Sequence, residues 1–260
     1  MECLRFQHIP KTAGSTFTRI LERQYAGQKS FQFSGNLKAD KKRFEALPEE
    51  ERENIVLFTG HAPFVTGIEK ADQATMITIL REPISRVQSY CQYVSEGKVP
   101  NLIPDFPQET FDLDRFLESR NAELTNFQTR LLVKNGLTPA FDNMPHSQAR
   151  DEALDNLFNK ISHFGLQEFF DESLIVFSAA LNWKTPVYVS VNQRDAANLL
   201  PFEKHQVERI VEMNAIDLEV YRLARERFMR IFKSSPLYRV KLKWFQLRNS
   251  RTSLTEMQNA

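Results

Sequence analysis

A lysine, a glycine and three hydroxyl residues lie within six positions near the start of the chain, directly after an apolar run typical of a first strand. The residues after them have helical spacing. A helix N-terminus suits an anion, because its first N–H groups are unpaired and the helix dipole adds partial positive charge. Lys11 adds a full charge, and Gly14 allows close approach of the backbone. The sequence therefore predicts a phosphate cradle built from Lys11, Thr12, Ala13, Gly14, Ser15 and Thr16.

A second polar segment follows the strand-like run Thr75–Leu80. Pro83 suits the first turn of a helix, so Arg81 lies at the strand end and Ser89 about two turns into the helix. An arginine guanidinium can donate two parallel hydrogen bonds to one phosphate. The segment thus predicts a second anion contact, about seventy residues after Lys11.

A histidine follows a third strand-like run, Ile55–Phe58. The ordinary pKa of histidine, near 6.5, suits removal of a proton at neutral pH, so His61 is a candidate general base. The alternative is a loop or core histidine with a backbone partner. His8 lies on the first strand and is interpreted as structural. Lys11, His61 and Arg81 each follow a different strand, and in a parallel sheet such ends meet at one edge, where ligands bind.

The two anion segments together resemble the cofactor signature of sulfotransferases that use 3′-phosphoadenosine 5′-phosphosulfate (PAPS). In that family a P-K-T-x-x-S/T loop holds the 5′-phosphosulfate and an R-D/E-P-x-x-R-x-x-S-x-Y segment holds the 3′-phosphate. Pro10–Ser15 carries the first pattern, and Arg81–Ser89 carries the second pattern up to its serine, in the same order. The resemblance is closest to carbohydrate O-sulfotransferases of the heparan sulfate 2-O and 6-O type and their bacterial relatives.

The resemblance implies a metal-independent O-sulfotransferase with PAPS as donor and a hydroxyl acceptor, preferably of a carbohydrate. It implies that Lys11 stabilises the departing phosphate and that His61, in a G-H element, is the base. Arg81 and Ser89 would bind the 3′-phosphate. The 5′-phosphate would be lined by Thr12, Ala13, Gly14, Ser15 and Thr16. Arg86 matches the motif, and Tyr90 lies one position before the motif's tyrosine; both residues are interpreted as structural.

Three weaker similarities extend the resemblance to most of residues 4–230. Leu124–Leu132 resembles an N-x-Q-T-R-x-L segment, in which Gln128 and Arg130 could face cofactor or acceptor or lie on a helix surface. Phe164–Phe170 resembles an F-G-L-T-E-x-F segment. The third segment, residues 191–194, resembles a loop that closes over the nucleotide. This similarity makes Asn192 and Arg194 candidate cofactor contacts.

Composition is that of an ordinary globular protein, with 260 residues, 42% hydrophobic and 26% charged. The net charge of +1 excludes a global field that would attract nucleic acid or a membrane. Cys3 and Cys91 are too few for a disulfide framework and are expected to be reduced and at least half buried. The sequence predicts no nucleic-acid partner and no stable membrane insertion, and it leaves the oligomeric state open.

Strands alternating with helices predict an α/β fold, a three-layer sandwich with a central parallel sheet and a P-loop-like phosphosulfate-binding loop. We expect a catalytic domain over residues 1–233 and a basic, aromatic extension over 234–260, peripheral or partly disordered. Three local expectations are a loop over Tyr25–Lys38, one helix over Asp40–Glu53 and a long helix over Glu203–Lys233 broken near Asn214. Two others are Asp171 as a helix N-cap and a strand over Val187–Val191.

The chain begins without a signal peptide, which favours a cytoplasmic bacterial enzyme, with the Golgi lumen as the location of a trimmed catalytic domain. Two alternative functions remain open. A P-loop nucleotide kinase would need G-x-x-x-x-G-K-S/T, whereas here the lysine precedes the glycine. A non-catalytic nucleotide- or glycan-binding protein would bind glycans through the basic C-terminal segment without turnover. Acceptor specificity is expected in the loops Lys98–Thr110 and Gly136–Ser147.

Overall fold

Five parallel strands form one sheet in the computed structural model, which describes residues 2–184, 186–188 and 200–258. The strand order is β2-β3-β1-β4-β5, so the first strand is central. Every residue of this central strand is buried, as expected for a strand covered on both faces. The strands are β1 Leu4–Gln7, β2 Lys29–Ser34, β3 Ile55–His61, β4 Thr75–Leu80 and β5 His163–Leu166.

Twelve α-helices lie in the described part of the chain, and they connect and flank the strands. The predicted α/β class with a central parallel sheet is therefore confirmed. The first six helices are α1 Gly14–Gln24, α2 Leu37–Glu45, α3 Glu49–Asn54, α4 Glu69–Asp72, α5 Pro83–Ser95 and α6 Leu113–Glu118. The others are α7 Phe127–Leu132, α8 His146–Asp155, α9 Phe170–Ala180, α10 Lys204–Met213, α11 Ala215–Ser234 and α12 Pro236–Gln258.

Three apolar clusters hold the helices to the sheet. The largest joins β1 and β4 to one set of helices, with Phe17 of α1 and Phe228 of α11 almost fully buried. A second cluster packs α5, α6 and α10 around Phe116. The third covers the β2 edge, where Phe44 of α2 packs on Phe58 of β3. This packing fixes the strand ends that carry the polar residues.

Two sequence predictions on the β2 side are wrong. Residues 29–34 form an edge strand rather than part of a loop, because Phe31 and Phe33 alternate with exposed polar residues and bury only one face. The single helix expected over Asp40–Glu53 is two helices, α2 and α3. Pro48 is the N-cap of α3, and a proline there cannot donate the backbone hydrogen bond that would continue α2.

The C-terminal half agrees with the sequence at one point and departs from it at another. Asn214 does separate α10 from α11, and its side chain donates to the carbonyl groups of Leu124 and Ile210. Asp171 is not the N-cap of α9, which begins after Phe169. Its carboxylate instead accepts from the Tyr188 hydroxyl at 2.8 Å.

Other expectations concern the cysteines and the chain end. Both thiols are free, and burial raises the pKa of the Cys91 thiol to about 12. Of the expected strand over Val187–Val191, residues 187 and 188 are not in a strand and the rest lies outside the described residues. The basic C-terminal segment forms α12, and Phe245 enters the main core. None of the described helices is both long and apolar enough to span a bilayer.

Candidate active site

The three polar residues predicted to meet at one sheet edge do meet there. Lys11 follows β1, His61 ends β3 and Arg81 follows β4, and β1 lies between the other two strands. The Arg81 guanidinium donates to the Lys11 carbonyl oxygen at 3.1 Å. On the other side, Nδ1 of His61 lies 3.2 Å from the carbonyl oxygen of His8. One loop, from residue 8 to residue 13, therefore contacts both other strand ends.

The backbone of this loop is bent in a way that favours an anion. Lys11 and Ala13 have φ angles of 69° and 66°, in the left-handed region that non-glycine residues rarely adopt. Ala13 is the N-cap of α1, and within the described chain no side chain caps that helix. Left-handed residues before a helix turn successive N–H groups toward one concavity, which binds anions. The loop thus fits a phosphate group, with Thr12 tying it closed through a 2.8 Å bond to the Ile9 carbonyl.

Gly14 is required by the imidazole of His8. A Cβ atom on residue 14 would lie 1.6 Å from His8 Nε2, far inside van der Waals contact. The sequence analysis expected Gly14 to let the backbone approach an anion. Gly14 also leaves room for the side chain of His8, which directly follows β1. This contact fixes the first turn of α1 against the loop that carries Lys11.

Replacement of Gly14 by alanine should lower the free energy of unfolding by about 1–3 kcal/mol, because the methyl group overpacks this contact. Thermal or urea unfolding measures the loss. The double variant His8→Ala/Gly14→Ala supplies the control, since removing the ring opens the space. A penalty for Gly14→Ala that is equally large in the His8→Ala background would contradict the proposed contact.

The rings of His8 and His61 lie against each other at the ends of β1 and β3, with an angle of 30° between their planes. Their ring centroids are 4.3 Å apart, and His8 also stacks on Phe6 at 5.3 Å. Burial, and then the neighbouring His61, lowers the pKa of His8 to about 3, so this ring is neutral. Loss of surrounding water lowers the pKa of His61, while its bond to the His8 carbonyl opposes the shift. That bond requires a proton on Nδ1 and leaves Nε2 of His61 as the basic nitrogen.

Lys11 contacts residues that the sequence analysis did not select. Its Nζ lies 3.8 Å from the ring centroid of Tyr93 on α5, in a cation–π contact. Glu123 is also near: burial raises the pKa of its carboxyl, and the charges of Arg86 and then Lys11 oppose this shift. Lys98 lies 5.9 Å from the same ring, which places the start of the expected acceptor loop beside Lys11.

Residues from two of the three segments with weaker similarity support the turn from β4 into α5. The amide of Gln128 makes two bonds to the Arg81 backbone, accepting from its N–H at 2.9 Å and donating to its carbonyl at 2.8 Å. Glu168 accepts from the Glu82 N–H at 2.8 Å. Buried Asp217 of α11 in turn accepts from the backbone N–H of Gln128 at 3.1 Å. Gln128 is thus a support for Arg81.

The other residues of the second motif have distinct places on α5. Glu82 is the N-cap and accepts from two backbone N–H groups at 3.0 and 2.8 Å, which explains an acidic residue before Pro83. Ser89 is half-buried, whereas Arg86 is fully buried and lies over the Phe127 ring. Tyr90 packs in the second apolar cluster.

Three further candidates have different outcomes. Arg130 is buried and donates to the carbonyl groups of Thr125 and Gly136, so it is a structural residue. Its pairing with Asp142 holds the Gly136–Ser147 loop. Asn192 and Arg194 lie outside the described residues. Sequence reasoning missed Glu168 and Asp217. Glu168 lies in the segment Phe164–Phe170, and Asp217 is an acidic residue within an apolar stripe of α11, so both carried a signal in the sequence.

Together these features define an α/β protein with a strand-end site for a phosphate-bearing ligand beside a neutral histidine. The profile of the galactose-3-O-sulfotransferase family matches residues 4–258. The chain therefore belongs to the galactose-3-O-sulfotransferase family, and the sulfotransferase class predicted from the two motifs is confirmed.

Individual sulfotransferases are similar to parts of this chain. The chain is 23% identical over 271 residues to chicken (Gallus gallus) heparan-sulfate 6-O-sulfotransferase 2, covering 88% of this chain and 67% of that protein. It is 28% identical over 248 residues to bovine (Bos taurus) galactosylceramide sulfotransferase, covering 86% and 56%. The chain thus spans between about half and two thirds of these relatives. The crystal structure of mouse sulfotransferase SULT7A1 complexed with PAP has 16% identity and a TM-score of 0.39, covering 80% of this chain and 63% of that one.

Proposed function

We propose that this protein transfers a sulfuryl group from PAPS to a hydroxyl of a carbohydrate, free or carried on a lipid. The observation that carries the proposal is the position of the Lys11 loop between Arg81 and His61, with direct contacts to both. A donor with two phosphate sites needs two cationic anchors, and an acceptor hydroxyl needs a neutral base beside them. The named substrates of the two relatives, heparan sulfate and galactosylceramide, both present sugar hydroxyls.

In this mechanism PAPS supplies the sulfuryl group, and the residues of the chain position it and manage charge. Nε2 of His61 takes the proton of the acceptor hydroxyl as the oxygen forms its bond to sulfur. The bond from sulfur to the phosphate oxygen breaks, and the electron pair leaves with the phosphate. Lys11 and the N–H groups at the start of α1 stabilise that added charge. By analogy with phosphoryl transfer, most of the acceleration comes from positioning and electrostatics.

Binding of adenosine 3′,5′-bisphosphate tests the assignment of Arg81. We expect Arg81→Ala to weaken binding of this nucleotide roughly 10- to 100-fold, the range for a hydrogen bond to a charged group. Binding of AMP, which lacks the 3′-phosphate, should change little. Calorimetry without magnesium measures both, and Arg19→Ala, an exposed arginine on α1, is the matched control.

Two results would contradict this assignment. An equal loss for AMP and the bisphosphate would mean that Arg81 acts only by holding the Lys11 loop. Tighter binding of ATP than of the bisphosphate would instead favour the kinase alternative. The acceptor is tested separately, by incubating the protein with PAPS and either galactosylceramide or desulfated heparan sulfate and identifying the sulfated product by mass spectrometry.

Three further predictions from the sequence remain proposals. We expect a cytoplasmic location, with the Golgi lumen as the alternative. We also expect the catalytic unit to end near residue 233, with residues 234–260 as an extension of the same domain. Asn192 and Arg194 remain proposed nucleotide contacts.

A further inference from the structure

An exposed apolar stripe runs along one face of α12. Leu237, Val240, Trp244 and Leu247 are 57%, 54%, 67% and 59% exposed. They recur every three or four residues, so they lie on the same side of the helix. Single exposed apolar residues are ordinary on a protein surface, but four on one helix face form a continuous patch that marks an interaction site.

The opposite face of α12 is fixed to the body of the protein. Phe245 is 2% exposed, belongs to the main core and stacks on Tyr188 at 6.3 Å between centroids. Tyr238 stacks on Phe232 of α11 at 5.8 Å. The side chain of Asn249 accepts from the Tyr188 backbone N–H at 2.7 Å. The stripe is therefore held at the surface and cannot turn inward without breaking these contacts.

Basic side chains border the stripe on both sides. Helical spacing places Lys241 and Arg248 along one side and Arg239 and Lys243 along the other, and all four are exposed. From residue 234 to residue 255 the sequence contains no aspartate or glutamate. The whole chain has a net charge of only +1, so this helix is a local concentration of positive charge.

We propose that α12 docks the protein on the surface of an anionic membrane. The apolar stripe enters the boundary between headgroups and acyl chains, with the Trp244 indole at the level that tryptophan prefers. The flanking lysines and arginines extend their apolar stems over the stripe and bring their charges to lipid phosphates. This arrangement lies on the membrane and does not span it.

The charges favour this partner over two others. A second copy of the chain would have to bring one row of basic side chains against another, because the same residues border the stripe in both copies, and like charges across an interface repel. A soluble polyanion would be attracted by the basic rows but would leave Leu237 and Trp244 in water. An anionic lipid surface is complementary to both the apolar stripe and its basic borders.

Flotation of the full chain with lipid vesicles tests the proposal. We expect binding to vesicles of phosphatidylcholine with phosphatidylserine, weaker binding to phosphatidylcholine alone, and loss of the difference at high salt. Trp244 emission should shift to shorter wavelength on binding. In Trp244→Phe that shift should disappear while most of the flotation remains.

Two pairs of variants separate the apolar and the charge contributions. Leu237→Ser/Leu247→Ser should reduce binding at least about tenfold, whereas Leu137→Ser, at a leucine 47% exposed elsewhere, should not. Lys241→Gln/Lys243→Gln should reduce binding to anionic vesicles about thirtyfold. The control Lys38→Gln/Lys42→Gln removes the same charge from exposed positions on α2 and should have little effect. Unchanged melting temperatures and nucleotide binding confirm that the variants are folded.

Three results would overturn the proposal. The first is no flotation with anionic vesicles. The second is flotation that the α12 variants and their controls affect equally. The third is concentration-dependent dimerisation, measured by analytical ultracentrifugation without lipid, that Leu237→Ser/Leu247→Ser abolishes; the stripe would then be a contact between copies. Binding to heparin that survives the leucine variants, with no vesicle binding, would likewise assign the basic rows to a soluble polyanion.

Discussion

Replacement of Lys11 by alanine should lower kcat of sulfuryl transfer by about 10²–10³, the usual cost of removing one group that stabilises developing charge. The lysine lies in the loop that joins β1 to α1, where the leaving phosphate would gain its charge. Because this interaction strengthens as the bond to sulfur breaks, the loss should fall on kcat more than on KM for the donor. Steady-state rates with PAPS and a sugar acceptor measure the effect.

Lys98→Ala is the matched control for this prediction. Lys98 also lies near the ring of Tyr93, at 5.9 Å against 3.8 Å for Lys11, and pairs with Glu96 at 2.6 Å. Replacing Lys98 removes the same charge from the same neighbourhood and leaves the loop from residue 8 to residue 13 unchanged. Lys98 begins the expected acceptor loop, so the comparison is made on kcat and not on KM for the acceptor. Equal losses for Lys11→Ala and Lys98→Ala would mean that general positive charge matters and that Lys11 has no specific role.

Replacement of His61 by alanine should lower kcat by about 10²–10⁴ and leave the affinity for adenosine 3′,5′-bisphosphate nearly unchanged. The base is lost while the cationic anchors at Lys11 and Arg81 stay. His205→Ala, at an exposed histidine on α10, should keep full activity. A His61→Ala enzyme with more than half of the wild-type kcat would show that another group, or water, takes the proton.

The pH profile of the wild-type enzyme gives an independent check. A base must be deprotonated, so kcat/KM falls as pH drops through the pKa of His61 in the free enzyme. Desolvation lowers that pKa, so activity should persist below pH 6.5, the ordinary histidine value, and the acid limb should lie on its acidic side. In His61→Ala this limb should disappear. An acid limb above pH 6.5 would contradict the lowered pKa.

Local pattern was sufficient to predict the ends of the central strands. β1, β3 and β4 are short, mostly apolar runs covered by helices. Lys11 lies shortly after β1, His61 ends β3 and Arg81 directly follows β4, so all three could be located from sequence. The edge strand β2 was missed for the opposite reason. Only Phe31 and Phe33 of its residues are buried. The other residues of β2 are lysine, serine and glutamine, which are typical of a loop.

The surroundings of the site depend on contacts between distant parts of the chain, which no local pattern carries. Tyr93 reaches Lys11 from the far end of α5, and Gln128 reaches the Arg81 backbone from α7. A glutamine in a helix can lie at the surface or inside, and only the tertiary packing decides. The second function of Gly14, accommodation of the His8 ring, likewise became evident only from the packed structure.

The position of β1 between β3 and β4 separates the two reactants in space. Neighbouring strands are about 4.8 Å apart, so His61 and Arg81 lie on opposite sides of the Lys11 loop. In the proposed reaction the donor is anchored by Arg81 on the β4 side of this loop, and the acceptor meets His61 on the β3 side. New acceptors could therefore be accommodated by changes near His61 and in the expected acceptor loops while the contacts to the donor stay constant. Such a division lets specificity diverge in evolution without loss of the shared chemistry.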